Sequence, residues 1–451
     1  MVKSKKEKKE VTEEKPLPPA KSIFEVKATS GRARLGELAS ALPTPAFTQL
    51  TSRGMPQCLR PEVLVAMTEA PLYQLPVGDL LLRQESVARC VEPQLGCRSF
   101  WPHLRSHLTY CSFRNPRQNP SIHGGDAVCS VETAGGRRKV GAKEMLETQK
   151  VMRVDLVASP GEEVTLDVTA SRRGQRAVAR AAEWLKEILE AKAGDPQLDF
   201  DWHVLASLQG GSDLKLRQKA SEAAAAMPVA GYWIGGLGYS EVLSQRAPAL
   251  EASVAGLLPE RPRFLPLCKG TPIEVLQAVM LGVDVFELTY PAEAAVAGLA
   301  LTFECELPEG FEVVDSDREV LKTLLAEVRS TESSSDGTPA VPAAAVVPEA
   351  VRQVDLRSPE CREDFGPISE WSPVKQYSRA YLYHLHEVHE LLGTMLLAQH
   401  NLHVYLKFFE ALRRHIKEDS LQRFAAWFLR TQTCEAPEPK VQSSPKKRQK
   451  I

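Results

Sequence analysis

His203-Val204-Leu205-Ala206-Ser207-Leu208-Gln209-Gly210-Gly211 is a short apolar run that stops at a polar residue and two glycines. The pattern returns at Gly231-Tyr232-Trp233-Ile234-Gly235-Gly236, at Phe264-Leu265-Pro266-Leu267 and at Val283-Asp284-Val285-Phe286-Glu287-Leu288. Short apolar runs bounded by turn signals read as buried strands. Between them, 212–226, 240–254 and 271–281 read as helices. The last opens with Thr271-Pro272-Ile273-Glu274, an N-cap, a proline in the first turn and a glutamate three residues on. Each strand-plus-helix unit takes roughly 27–30 residues, the length of a βα repeat. Alternating βα units imply a parallel sheet. No GxGxxG opens the first unit, which removes support for a dinucleotide-binding Rossmann domain. Length and repetition favour an α/β (β/α)8 TIM barrel, whose working face lies at the C-terminal ends of the strands.

Upstream, Val128-Cys129-Ser130-Val131 reads as a strand, 142–152 as a helix and 154–158 as a strand. A helix over 172–193 carries Val178, Ala181, Leu185, Ile188 and Leu189 as a stripe at steps of three and four. Phe24-Glu25-Val26-Lys27-Ala28 alternates and then turns at Ser30-Gly31, predicting an opening hairpin. Residues 40–125 show no clear rhythm. Downstream, 374–398 and 402–430 read as two helices broken near Asn401. The expected division is a charged tail over 1–22, a barrel over 23–328, a low-complexity linker over 329–355, a helical subdomain over 356–431 and a basic tail over 432–451.

The 451 residues are 43% hydrophobic and 25% charged, ordinary values for a soluble globular chain. Fifty-six Lys and Arg against 57 Asp and Glu leave a net charge of −1, so nucleic-acid contact has to come from a local patch. The nine cysteines are scattered without a CxxC pair, which argues against a disulfide framework and for a reducing compartment. No apolar run is long enough to span a membrane, and the Lys- and Glu-rich start does not read as a secretory signal. The expected location is the cytoplasm, with a peripheral mitochondrial outer-membrane or nuclear pool left open.

Four features carry candidate chemistry. His386-Glu387-Val388-His389 is one residue short of HExxH, so it reads as a partly exposed helix face rather than a zinc protease site. The glycines after Gln209 and Ile234 are either plain turn residues or points of close backbone approach to a ligand. Asp284, Glu287 and Tyr290 cluster at a strand end, where a barrel enzyme places its nucleophile or base. Lys446, Lys447, Arg448 and Lys450 form a tail that reads as a solvated terminus, a phosphate contact or an import signal.

Tyr377-Ser378-Arg379-Ala380-Tyr381-Leu382-Tyr383-His384-Leu385, followed by His400-Asn401-Leu402, resembles the tRNA-guanine transglycosylase family. Leu208-Gln209-Gly210-Gly211, Ile234-Gly235-Gly236-Leu237, Gly270-Thr271-Pro272 and Gly282-Val283-Asp284-Val285-Phe286 occur in that family's order and at compatible spacing. By resemblance, Gln209, Gly210, Gly211, Gly235 and Gly236 are base-pocket elements. The family's aspartate nucleophile is Glu287 here, and the Thr-Arg after the proline is Ala292-Glu293. The Asp-Ser-Gly-Gly-Phe-Gln segment carrying the general base is missing; Tyr110-Cys111-Ser112-Phe113-Arg114-Asn115-Pro116 stands in that region. A nucleophile must sit within about 3–3.5 Å of its target, and an error of about one ångström costs roughly a hundredfold. The three zinc cysteines fall on Ser369, Trp371 and Val374, leaving His400 alone of four ligands. A structural zinc ion wants four ligands, so no cofactor is expected.

These departures are similar to those of the family's accessory paralogues. The expectation is a non-catalytic subunit supporting exchange of guanine for queuine at the tRNA wobble position. Its partners would be tRNA and a zinc-bearing catalytic queuine tRNA-ribosyltransferase subunit, held as a heterodimer through 365–430 with Arg379 and Tyr383 at the contact. The alternatives are a divergent active transglycosylase using Glu287 as nucleophile, an unrelated barrel enzyme, or a structural protein without a tRNA role.

Overall fold

The computed structural model describes residues 17–67, 71–115, 129–168, 171–239, 241–326, 347–348 and 350–434. Eight parallel strands form a closed ring: β1 (Ala46–Ser52), β2 (Leu72–Gln74), β3 (Leu108–Cys111), β4 (Leu156–Ala158), β5 (His203–Leu208), β6 (Gly231–Ile234), β7 (Arg263–Pro266) and β8 (Val285–Glu287). Closure is the pairing of β8 with β1, Val285 opposite Ala46 and Phe286 opposite Phe47. Besides the single helical turn Cys97–Phe100, the intervening helices are α1 (Pro61–Met67), α2 (Val77–Ala88), α3 (Ala142–Met152), α4 (Ser171–Gly194), α5 (Leu214–Ala225), α6 (Leu243–Val254) and α7 (Pro272–Met280). This is the (β/α)8 barrel that the repeat predicts. The expected cap of α7 is present: Thr271 Oγ1 accepts from the Glu274 amide at 3.3 Å, and Glu274 accepts from the Thr271 amide at 2.8 Å. The predicted stripe on α4 faces inward, with Ala181, Leu185, Ile188 and Leu189 buried and Val178 at its edge.

The barrel interior is filled by Leu72, Tyr110, Leu156, Leu205, Trp233, Phe264 and Val285. The predicted opening hairpin exists as Phe24–Ser30 against Ala33–Leu38, extended by Leu42–Thr44. It adds Phe24, Leu38 and Leu42 to that same cluster. The strand read at Val128-Cys129-Ser130-Val131 is present from Cys129, Val128 lying outside the described residues, but it stands apart from the ring. Cys129–Thr133 pairs antiparallel with Gly136–Val140 as a hairpin inserted between β3 and α3. Two-residue alternation alone cannot tell a barrel strand from an inserted hairpin.

Beyond β8 the chain continues through α8 (Tyr290–Val296), α9 (Asp315–Leu324), α10 (Arg379–Glu387), α11 (Leu391–Lys417) and α12 (Leu421–Thr431). The break expected near Asn401 is absent, because α11 runs straight through it. The Asn401 side chain is fully buried, accepts from the Leu301 amide at 2.9 Å and donates to the Leu299 and Pro291 carbonyls. Its amide serves a neighbouring segment, so it does not compete with its own helix. The real breaks are at His389 and Asp419, both at positive φ. α11 covers the β8–β1 seam: Phe409 packs on Phe47 and Phe286, and Arg413 donates to the Pro45 carbonyl at 2.8 Å. Much of the 329–355 stretch lies outside the described residues, as do the lysines of the basic tail. Within that stretch, Gln353–Asp355 is a strand paired with Leu299–Leu301.

Candidate functional site

Glu287 ends β8 at the mouth of the barrel and is fully buried. One carboxylate oxygen accepts from Tyr110 Oη at 2.7 Å and from Trp233 Nε1. The other accepts from Gln74 Nε2 at 2.5 Å and Ser112 Oγ at 2.8 Å. Gln74 is oriented in turn by Thr48 Oγ1, 2.7 Å from its Oε1. Each carboxylate oxygen accepts about two hydrogen bonds, so four donors saturate the group. Burial pushes the Glu287 pKa above its usual value, and the bonds from Tyr110, Trp233 and Ser112 pull against that. The carboxylate is therefore a strut joining β2, β3, β6 and β8, with no lone pair aimed at open space.

The suspected cluster of Asp284, Glu287 and Tyr290 does not exist. Asp284 lies at the other end of β8, where it accepts from Arg34 Nε at 3.0 Å and from the Arg263 amide at 2.8 Å. Residues 284 and 287 sit at opposite ends of a short strand, which separates them along the barrel axis. Tyr290 belongs to α8 and packs against Tyr405.

Gln209, at the end of β5, is buried, and neither its amide oxygen nor its amide nitrogen has a hydrogen-bond partner among the described residues. It is clamped between two glycines: a Cβ at Gly235 would stand 2.4 Å from Gln209 Nε2, and one at Gly161 2.6 Å away. Gly236 turns at φ +72°, and a Cβ there would meet the Val164 carbonyl at 2.5 Å. These glycines thus admit close approach, but by this chain's own atoms. Gly210 and Gly211 pack beside Arg217 and Val164, and Arg217 Nε donates to the Gly211 carbonyl at 2.7 Å.

Residues that the sequence reading did not single out complete the mouth. Arg114 follows β3 and is buried, its guanidinium 3.6 Å from the Tyr239 ring centre. Its Nη1 donates to the Leu237 carbonyl at 2.6 Å, and its Nη2 to the Gly238 carbonyl at 2.9 Å. Glu163 stands 3.5 Å from Arg114 Nη1 and accepts from the Gly236 amide at 2.8 Å and from the Tyr239 hydroxyl. Nothing in strand periodicity marks an arginine on a loop as buried.

At the zinc position of the resemblance, His400 is fully buried in α11. Its Nε2 lies 2.8 Å from the Leu301 carbonyl, and its Nδ1 lies 2.9 Å from Ser372 Oγ. The carbonyl can only accept, so Nε2 carries the proton and the Nδ1 lone pair is committed to Ser372. Burial lowers the His400 pKa to about 4. Trp371 stacks on the imidazole with ring centres 5.5 Å apart, and Val374 is buried in the neighbouring apolar cluster. A serine, a tryptophan and a valine supply no thiolate, and the one imidazole is used. These residues do not fit a zinc ion. His384 and His389 are exposed and His386 is half-buried; no group of three metal-ligating side chains exists among the described residues.

The sequence profile of the family described as queuine tRNA-ribosyltransferase matches residues 28–433. A zebrafish (Danio rerio) protein named queuine tRNA-ribosyltransferase accessory subunit 2 is 30% identical over 378 residues, covering 81% of this chain and 87% of its own length. The protein of the same name from Xenopus tropicalis is 27% identical over 413 residues, covering 87% of this chain and 95% of its own. That of Drosophila pseudoobscura is 27% identical over 406 residues, 87% of each. The match takes in the ring of strands, the mouth and the C-terminal helices alike, and the chain belongs to the queuine tRNA-ribosyltransferase family.

Proposed function

We propose that this chain is a non-catalytic accessory subunit of a queuine tRNA-ribosyltransferase, supporting the exchange of guanine for queuine in tRNA by a catalytic paralogue. One observation carries the reading: the carboxylate at the family's nucleophile position, Glu287, is buried and saturated by four donors from three other strands or their ends. A nucleophile needs a free lone pair within attacking distance of its substrate. The names of the relatives point the same way. The alternative in which Glu287 attacks the ribose loses its support from this arrangement. No zinc belongs to the proposal, since His400 has its lone pair engaged.

The partner is a catalytic paralogue, and the assembly a cytoplasmic heterodimer. Exposed large apolar side chains in the 365–392 stretch support the contact. Phe365 is 81% exposed and Leu391 64%, with Tyr381, Val388 and Leu392 also open to solvent. Tyr381 stacks on Tyr377 with ring centres 5.6 Å apart. Several large apolar side chains left open in one short stretch fit an interaction surface. The contact residues named from sequence shift accordingly. Tyr383 is buried and bonds Glu387 at 3.0 Å, and Arg379 is held by Asp364 at 2.9 Å, so Tyr381 replaces them as the anchor. For tRNA, support comes from exposed Arg137, Arg138 and Lys139 on the inserted hairpin and Arg172 and Arg176 at the start of α4. Both segments follow strand ends on the face that holds Glu287. No helix among the described residues is long and apolar enough to cross a membrane.

The test is incorporation of radiolabelled guanine into tRNA. The expected result is no exchange by this chain alone or by the paralogue alone, and exchange by the mixture. Exchange by this chain alone, abolished by Glu287→Gln, would overturn the proposal.

A further inference from the structure

We propose that Arg114 and Glu163 together form a built-in occupant of the nucleobase seat, so that this chain keeps the seat closed with its own side chains. The inference rests on the accessory reading and explains how the closed state is maintained.

The seat is the stretch of β6–α6 loop beside Gln209. Its main chain offers the Gly236 amide as a donor and the carbonyls of Leu237 and Gly238 as acceptors, with the Pro266 carbonyl at the end of β7 beside them; the Gly238 and Tyr239 amides are turned to Glu241. All are taken. Glu163 accepts from the Gly236 amide at 2.8 Å. Arg114 donates to Leu237 at 2.6 Å, to Gly238 at 2.9 Å and to Pro266 at 3.3 Å. The guanidinium also lies over the Tyr239 ring, 3.6 Å from its centre. A planar, stacked group with a donor edge and an adjacent acceptor edge is the recognition pattern of a guanine-type base. The C2 carbon of guanine with N1, N2 and N3 is itself a guanidine. Arg114 supplies the donor half of that pattern and Glu163 the acceptor half.

The pair is held as firmly as a core residue. Arg114 is 2% exposed in its side chain and Glu163 11%. An open cleft of about 770 Å³ beside the pair is bordered by Glu163, Tyr239, Glu241 and Ser212, and Gln209, Gly235 and Gly236 do not line it. Gln209 is the element left over. Both its amide atoms are buried and unpaired among the described residues, although it stands against Gly235. Arg114 and Glu163 satisfy the main chain of the seat and leave this one reading group without a task. Removing them exposes an amide donor, a carbonyl acceptor and a carboxamide side by side.

Equilibrium dialysis of the full chain with radiolabelled guanine tests this. Wild type is expected to show no saturable binding up to the solubility limit of the base. Arg114→Ala/Glu163→Ala removes both charges at once, so no unpaired ion stays buried, and is expected to gain at least tenfold in bound guanine with one site per chain. A double variant with native circular dichroism that gains nothing overturns the proposal, as does saturable guanine binding by wild type. Should the double variant not fold, amide exchange on wild type decides. Unchanged protection of residues 235–239 with saturating guanine is expected, and a guanine-dependent change overturns it. Guanine binding by wild type would sink the built-in occupant while leaving the accessory role intact. The accessory role fails only on base exchange by the single chain.

Discussion

The barrel mouth and the C-terminal block depart from the family's residue pattern in opposite ways. At the mouth, charge is retained and turned inward: Glu287 holds four donors, and Arg114 and Glu163 hold the loop after β6. In the C-terminal block, the ligand positions became apolar or neutral, and apolar side chains turned outward instead, with Phe365, Tyr381 and Leu391 facing solvent. Charged groups buried at a barrel mouth must find partners, because a buried unpaired polar group costs stability. A surface free of chemistry carries no such demand and can keep an apolar patch for a partner. Mutations at the mouth should therefore read out as stability, and mutations on the block's surface as association.

The largest effect belongs to Glu287. Glu287→Ala strands the Trp233 and Gln74 N–H groups, neither of which can act as an acceptor instead. Each stranded buried donor costs about 1–3 kcal/mol, which sets the expected loss near 4 kcal/mol. Chemical denaturation should show this as a lower midpoint with an unchanged slope. Glu287→Asp keeps the charge but is one methylene short, and its loss should be smaller. A Glu287→Ala protein as stable as wild type would break the contrast between mouth and block, since the carboxylate would then be no strut.

Next comes the interior of the block. His400 in the folded chain has its pKa lowered from 6.5 to about 4. The unfolded chain therefore takes up this proton first as pH falls. The neutral imidazole contributes its full stability above pH 6.5, loses it progressively down to about pH 4, and changes no further below that. Across that window the loss is about 3 kcal/mol, from 1.36 kcal/mol per unit. Other histidines have lowered values too, so the comparison is wild type against His400→Gln, whose curve should be flatter between pH 6.5 and 4. A parallel pair of curves would show that His400 is not the buried neutral wedge. In the same experiment EDTA should leave the melting temperature unchanged; a drop would restore a metal to this position.

The barrel was readable because β5 to β8 are continuous apolar runs separated by helices, and the Thr271–Glu274 cap is local. Strands β2 and β3 were not, since three or four residues give no period to follow. Glu287 was legible as a strand-end acid. Its saturation was not, because Gln74, Tyr110, Ser112 and Trp233 come from three other strands or the residue just past one, and meet it only after closure. Arg114 and Glu163 were invisible for a related reason: they are charged loop residues whose burial depends on each other. Asn401 misled in the other direction. Its amide suggests a helix break from sequence, whereas its partners at 299 and 301 lie about a hundred residues away.

The smallest effect is also the one most specific to the partner. Tyr377 and Tyr381 are four residues apart, bracketing the start of α10, and stack at 19° between planes, with Tyr381 40% exposed. Tyrosines pre-arranged in this way lose little conformational freedom on docking and are frequent interface anchors. Tyr381→Ser should therefore weaken association with the catalytic paralogue about tenfold, equivalent to about 1.4 kcal/mol. It should lower the melting temperature of the isolated chain only modestly, because what the part-exposed ring gives up within the chain is its stacking on Tyr377. Tyr383→Phe is the control. It removes a hydroxyl that bonds Glu387 within the chain, so it should shift stability slightly and leave association unchanged. Sedimentation velocity of the mixed chains at micromolar concentration reads both. If Tyr383→Phe dissociates the pair and Tyr381→Ser does not, the docking face lies away from the exposed patch, and the contrast between a closed mouth and an open block fails.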